Sequence, residues 1–198
     1  MGGGIPLSPA AVMPRLFLNL RILRALVAVL VLLPGAVSAE LGASSNGGER
    51  AGLAAGLLRH SGVSLLDFHV SGVSDSATAR DNLTQSATGR GAKRSYYGNG
   101  PGGATALDVR MLKALMTMAN EGYTFRITEF AGGSHSCNSR HYCGVGFDID
   151  TLNGKKIRYG HPTYRAFMKR CRELGATEVL GPGSRGHSTH LHVAWPRK

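Results

Sequence analysis

The chain has few cysteines and lacks several common catalytic motifs. Its three cysteines form no CxxC pair, which excludes a cysteine-rich zinc knuckle and a thioredoxin-like redox site. No HExxH motif occurs, so a zincin helix is excluded, and no serine stands in a GxSxG context. The stretch GNGPGG is not followed by Lys-Ser or Lys-Thr, so it is not a phosphate-binding loop. Histidines and carboxylates are therefore the residues to examine for chemistry.

Acidic residues are scarce, with 12 Asp and Glu against 23 Lys and Arg. Residues 1–39 hold three of the basic residues and none of the acidic ones, which leaves 20 basic against 12 acidic residues, a net charge of +8, for residues 40–198. A basic protein is attracted to polyanions. This balance favours cell-wall polymers or lipid headgroups over nucleic acid as partners, although an ordinary basic surface is equally consistent with it.

No apolar run is long enough for a convincing membrane span. The longest, ALVAVLVLLPGAVSA, follows several arginines, is interrupted by Pro34 and closes with small residues. This order is typical of a secretory signal peptide. We therefore predict a signal peptide over residues 1–39 and an exported protein, in the periplasm, cell wall or extracellular space, with no stable membrane span after cleavage. An uncleaved anchor helix is the alternative.

The rest of the chain is predicted to form one domain. Residues 40–50, rich in Gly, Ser and Asn, are predicted to be a flexible linker, and residues 51–198 a single domain with its core at 108–196. Residues 74–105 are predicted to form a long ordered loop with one helical turn. The clearest helix begins at the candidate N-cap Asp108. Strands that follow helices without regular βαβ alternation predict an α+β fold, with a small antiparallel sheet flanked by helices.

Two stretches concentrate histidines, SRHYCGVGFD at residues 139–148 and GHSTHLHVAW at residues 186–195. In an extended strand His190 and His192 lie on the same face. Glycines between His141 and Asp148 allow the backbone to bring those two side chains together. Two histidines and one aspartate can bind a catalytic zinc ion and leave a position open for water. The alternative is hydrogen-bonded loop histidines and an aspartate that caps a turn.

These stretches resemble a known family. The segment SRHYCGVGFD resembles the SxHxxGxAxD motif of zinc D-alanyl-D-alanine carboxypeptidases, with Gly146 at the alanine position. HLH at residues 190–192 resembles their second motif, and GHSTHLHV is similar to the C-terminal motif of penicillin-insensitive murein endopeptidases from the same clan. The resemblance covers residues 108–196. It implies the zinc peptidase fold that this clan shares with the hedgehog signalling domain.

The resemblance also implies roles for individual residues. His141, Asp148 and His192 correspond to ligands of Zn²⁺. His190 or His187 is expected to be the general base, since no acidic residue follows Glu178 and a histidine titrates near neutral pH.

A basic residue is expected to hold a substrate carboxylate. Arg140 is the main candidate for this role, and Arg185 is a second one. Cys137 and Cys143 flank the first motif and are able to pair across the loop, but the third cysteine, Cys171, leaves the pairing open.

The sequence therefore predicts an exported zinc metallopeptidase that hydrolyses peptide bonds in peptidoglycan stem peptides or cross-links, as a carboxypeptidase or an endopeptidase. Its partners would be peptidoglycan or peptide substrates and not nucleic acid. Two alternatives stay open. One is a non-catalytic, zinc-containing module that binds the cell wall. The other is a metal-free protein that binds polyanions.

Overall fold

The structure is a computed structural model that describes residues 1–2 and 37–198. The predicted signal peptide falls almost entirely on residues 3–36, outside the described residues. Residues 37–198 belong to one compact unit. None of the described helices is both long enough and apolar enough to cross a membrane.

The main sheet has six strands in the described part of the chain. Five of them lie in the order β1-β4-β5-β8-β7, and β6 pairs with β5. Their bounds are β1 Val63–Leu65, β4 Phe125–Glu129, β5 Gly146–Leu152, β6 Lys155–Lys156, β7 Glu178–Leu180 and β8 Leu191–Ala194. A separate hairpin consists of β2 Ala92–Lys93 and β3 Ala104–Thr105.

Four α-helices occur in residues 37–198, and they are α1 Val37–Arg59, α2 Ala79–Ala87, α3 Val109–Asn120 and α4 Tyr164–Glu173. The predicted start of α3 is confirmed, because the Asp108 side chain accepts a hydrogen bond from the Arg110 N–H at 2.8 Å. An N-cap of this kind satisfies a backbone donor that the first helical turn leaves free. The buried face of α3 includes Leu112 and Leu115, which belong to the core beside the central strands.

The α+β class is confirmed, but the prediction of a purely antiparallel sheet is wrong. Strand β1 runs parallel to β4, with Val63 paired to Phe125. Parallel neighbours require a long crossover connection. The connection here contains α2, the β2–β3 hairpin and α3, so it is long enough to return the chain in the same direction.

The predictions for residues 40–50 and 74–105 are corrected by the structure. Residues 40–50 lie within α1 instead of forming a flexible linker. The helix packs on α2 and α3, and Glu49 forms an ion pair with Lys113 at 2.6 Å. These tertiary contacts outweigh the poor helix propensity of Gly and Ser. Residues 74–105 contain α2 and the hairpin, and α2 begins with a capping box between Thr78 and Asp81.

Candidate metal centre

Residues from the two histidine-rich stretches meet at one point, two of them on neighbouring strands and the third on a turn. Asp148 on β5 is paired directly with His192 on β8, so their side chains leave the sheet on the same face. His141 opens a short 3₁₀ turn that ends at Gly144, whose φ of 69° is left-handed. A Cβ at Gly144 would also stand 2.3 Å from the Ala106 carbonyl oxygen. Glycine is therefore required there, and the turn directs His141 back towards Asp148.

The three side chains meet at single atoms, and we call them the metal-site cluster. His141 Nε2 lies 3.2 Å from Asp148 Oδ1 and 2.9 Å from His192 Nδ1. His192 Nδ1 lies 2.9 Å from Asp148 Oδ1. All three residues are buried. In a tetrahedral zinc site, with bonds of about 2.0–2.1 Å, neighbouring ligand atoms are about 3.3 Å apart. The observed triangle of atoms is close to one face of such a tetrahedron.

Hydrogen bonding fixes which nitrogen of His141 faces the cluster. His141 Nδ1 donates to the Phe130 carbonyl oxygen at 2.6 Å. In the neutral ring Nε2 then carries a lone pair and points at Asp148 and His192. A histidine that binds a metal through one nitrogen usually donates from the other in this manner. The cluster therefore brings two imidazole nitrogens and one carboxylate oxygen to one point, where a shared proton or a metal cation can hold them together.

Charge within the cluster is strongly coupled. Burial opposes the charged form of Asp148, but the adjacent His141 and its hydrogen bond outweigh that effect and hold the pKa of the carboxyl well below its usual range. Burial also opposes the charged form of His141, and the negative charge of Asp148 outweighs it, so the pKa of His141 is raised. Asp148 is therefore an anion, and the pocket around it favours positive charge.

Glu178 lies behind His192 and was not identified from the sequence as part of the site. The residue is on β7, paired with Ala194 and thus diagonal to His192 across the strand pair. Its Oε1 atom lies 3.0 Å from His192 Nε2, although the angles are not those of a hydrogen bond. A carboxylate beside the outer nitrogen of a ligand histidine orients the ring and raises its basicity. Only the β7–β8 register reveals this contact, because Glu178 and His192 are far apart in the chain.

A third histidine, His135, lies against the metal-site cluster. Its ring stacks on that of His141 with centroids 3.9 Å apart. His135, His141 and Asp148 offer ligand atoms that all lie within 4.8 Å of one another, so this group can hold a metal ion. Burial lowers the pKa of His135 to about 3, which keeps its ring neutral. From the sequence alone a solvated loop position is favoured for His135, with a fourth site histidine as the alternative, and the structure places its ring against the cluster.

The two histidines predicted to be catalytic lie near the cluster without joining it. The rings of His187 and His190 are 4.8 Å apart, and that of His187 is 5.9 Å from His192. His187 Nδ1 donates to the Arg185 carbonyl oxygen at 2.8 Å, which leaves Nε2 as an acceptor in the neutral ring. Burial lowers the pKa of His190. The lowered pKa keeps the ring of His190 neutral, as a proton acceptor must be.

Arg140, the predicted carboxylate-binding residue, is occupied by partners within the protein. Its guanidinium donates to the Trp195 carbonyl oxygen at 2.7 Å and to Thr177 Oγ1 at 2.9 Å. Its Nε atom lies 2.9 Å from Glu178 Oε2. Arg140 therefore holds strand ends together and fixes Glu178. The second candidate, Arg185, is exposed and lines neither of the clefts beside the metal-site cluster.

Two open clefts flank the cluster and share His135, Asp148 and His190. The first, about 520 Å³ in volume, also includes Tyr97 and Arg158. The second is about 580 Å³ and contains the other cluster members, His187, Glu178 and Arg140. A chain-like ligand that crosses the cluster would thus have space on both sides of it.

A second buried histidine lies beneath the first cleft, and we call it, with its partners, the His69 cluster. His69 Nδ1 lies 2.7 Å from Glu129 Oε1, and Nε2 lies 2.7 Å from Asp75 Oδ1. The hydrogen bond to Glu129 is the main influence on His69 and raises its pKa to about 9, against the opposing effect of burial. His69 is therefore an imidazolium that donates from both nitrogens. This cluster ties the segment before α2 to β4. The sequence context LLDFHVSG predicts a buried, hydrogen-bonded His69 but not its two partners.

All three cysteines are unpaired in the structure. Cys137 and Cys143 are exposed and Cys171 is buried in the core. Burial raises the pKa of the Cys171 thiol to about 12, so this cysteine is an inert core residue.

Comparison with known proteins found no match: no family model, no curated protein and no solved structure is similar to this chain.

Proposed function

We propose that this chain is an exported zinc-dependent peptidase that hydrolyses peptide bonds in peptidoglycan stem peptides or cross-links. The observation that carries the proposal is the convergence of His141 Nε2, Asp148 Oδ1 and His192 Nδ1 within 2.9–3.2 Å of one another. Two imidazoles and one carboxylate are a donor set that zinc accepts in catalytic sites. The resemblance of the two motifs to zinc D-alanyl-D-alanine carboxypeptidases and murein endopeptidases supports the substrate class and the zinc peptidase fold of that clan.

His192 is a better third ligand than His135. The ligand atoms of the group that contains His135 spread over as much as 4.8 Å, whereas those of the metal-site cluster lie close to the spacing of about 3.3 Å that tetrahedral zinc requires. His135 Nε2 is also hydrogen-bonded to the Gly132 carbonyl oxygen at 3.0 Å, so only its Nδ1 atom is left to bind a metal. We therefore assign His141, Asp148 and His192 as the ligands.

The protein's own residues supply proton transfer and orientation. When bound, zinc acts as a Lewis acid, which lowers the pKa of a water ligand and polarises a carbonyl group. His190 lines both clefts beside the ligands, and we assign it as the acceptor of the proton that the attacking water loses. His187 is the second histidine within reach. Glu178 keeps His192 oriented, and Phe130 does the same for His141 through its carbonyl oxygen.

The test is digestion of peptidoglycan by the purified protein, with and without chelator and with zinc added back. Released fragments, identified by mass spectrometry, would show which bond is cut. We expect fragments that disappear with chelator and return with zinc, and none from a His192→Ala variant. A His60→Ala variant is the matched control, since His60 lies outside both clefts. Stoichiometric zinc without any hydrolysis would instead support a non-catalytic wall-binding module.

A further inference from the structure

The basic residues that line the two clefts differ in how their charged groups are used. There are four of them, Lys156 and Arg158 in the first cleft and Arg140 and Arg197 in the second. A substrate carboxylate needs a cation whose donors are still available, because a guanidinium binds a carboxylate through two parallel hydrogen bonds. A basic residue whose charged group is free of hydrogen bonds and ion pairs within the protein is therefore the one able to bind a substrate carboxylate.

Three of the four are already engaged. Arg140 donates to the Trp195 carbonyl oxygen and pairs with Glu178. Arg197 donates to the Asn138 carbonyl oxygen. Lys156 Nζ lies 2.7 Å from Asp150 Oδ2. Within the described part of the chain, Arg158 alone of the four has no side-chain hydrogen bond or ion pair, so the donors of this exposed, cleft-lining residue are unpaired.

The backbone beside Arg158 is well fixed. The preceding residue, Ile157, is buried and its N–H donates to the Asp150 carbonyl oxygen at 2.8 Å. The Arg158 carbonyl oxygen accepts from the His161 N–H at 3.1 Å. An exposed guanidinium on an ordered backbone costs little further entropy of the main chain when it binds. Arg158 is thus prearranged at the wall of the cleft that also contains Asp148 and His190.

We propose that Arg158 is a specificity-determining residue that binds a free carboxylate of the peptide substrate in the first cleft. This inference rests on the proposed peptidase function, since it takes the first cleft to be a substrate cleft. Stem peptides offer two such carboxylates, one at the C-terminus and one on the α-carbon of a γ-linked D-glutamate. Both present the same chemistry to a guanidinium, and the experiment distinguishes them.

The experiment compares three forms of the pentapeptide L-Ala-γ-D-Glu-L-Lys-D-Ala-D-Ala. These are the free acid, the C-terminal amide and the α-amide of the glutamate. Binding to the full-length, zinc-loaded protein is measured by calorimetry, and KM and kcat are measured separately. We expect one amide to bind about tenfold more weakly than the acid, because a charge-assisted hydrogen bond is lost. The amide that binds weakly identifies the recognised carboxylate.

Variants show whether Arg158 is responsible. Arg158→Gln should bind the acid and both amides equally, with a raised KM for the acid and little change in kcat. Arg158→Lys should keep part of the preference. Lys155→Gln is the matched control, because it removes the same charge from the same hairpin at an exposed residue outside the cleft, and it should behave like the unmodified protein.

Two results would overturn the inference: equal binding of the acid and both amides by the unmodified protein, or a preference for the acid that survives in Arg158→Gln. Absence of hydrolysis of all three peptides would instead count against the peptidase proposal. The calorimetric comparison does not depend on turnover, so the two failures are distinguishable.

Discussion

Two buried clusters of histidine and carboxylate lie on the same sheet and use their hydrogen bonds in opposite ways. In the His69 cluster one imidazolium donates from both nitrogens to two carboxylates, so every strong donor is paired. In the metal-site cluster two imidazole nitrogens and one carboxylate oxygen converge on one point. The first cluster has one histidine between two carboxylates, and the second has two histidines around one carboxylate. The contrast shows that the convergence of ligand atoms on one point, and not the mere presence of buried histidine and carboxylate, distinguishes a candidate metal site from a structural ion pair.

The largest expected effect separates the two clusters by metal content. His192→Ala should lose stoichiometric zinc and all peptidase activity, since it removes one of three ligands, whereas even an outer partner of a ligand is worth about 10–100-fold in affinity. His69→Gln should still bind one zinc ion per chain. Elemental analysis after dialysis measures this directly, and stoichiometric zinc in His192→Ala would remove His192 from the ligand set.

The free energy of unfolding should separate the same two variants in the opposite order, with the larger loss in His69→Gln. His69→Gln leaves the buried Glu129 without its cation, and breaking a buried ion pair costs about 3–5 kcal/mol. Denaturant unfolding should report a loss of this size in the free energy of unfolding. His60→Ala, at a histidine outside both clusters, is the control. A loss below about 1 kcal/mol in His69→Gln would show that the His69 cluster does not tie its segment to β4.

The pH dependence of stability should also reveal the His69 cluster. The pKa of His69 is about 9 in the folded protein, above the value of about 6.5 that is usual for an unfolded chain. Its contribution is therefore complete below pH 6.5 and is lost as the pH rises towards 9, by an amount on the order of 3 kcal/mol. Unfolding curves between pH 6 and 9.5 test this expectation. If the free energy of unfolding of His69→Gln falls as steeply with rising pH as that of the unmodified protein, another group is responsible for the pH dependence.

The smallest effect concerns the residue behind the metal-site cluster. Glu178→Gln keeps the shape of the side chain but removes the charge beside His192 Nε2. Zinc affinity should fall about 10–100-fold, in line with the loss of other outer partners of ligand histidines. Competition with a chromophoric chelator measures the change, and Glu173→Gln, on the exposed side of α4, provides a comparison with equal loss of charge. Unchanged zinc affinity in Glu178→Gln would show that Glu178 does not support His192 as a ligand.

Local patterns predicted the central elements of the fold well. The N-cap at Asp108 and the apolar spacing after it located α3, and the stretch GFDIDTL coincides with β5 at Gly146–Leu152. Pattern reasoning was less successful before residue 107. There, α1 depends on packing against α2 and α3, and the capping box of α2 lies in a stretch whose composition is typical of a loop.

The candidate site, like the fold, was predictable from the sequence only where local patterns decide the structure. The spacing of His141 and Asp148 and the HLH triplet by themselves located the candidate ligands, because strand alternation and a glycine turn are local properties. The choice of His192 over His190 came from the family resemblance. Only the tertiary structure brought Glu178 to His192, joined His69 to Glu129, occupied Arg140 and left Arg158 unpaired at the cleft. Those contacts depend on strand register and on packing between distant segments, and neither is encoded in the spacing of neighbouring residues.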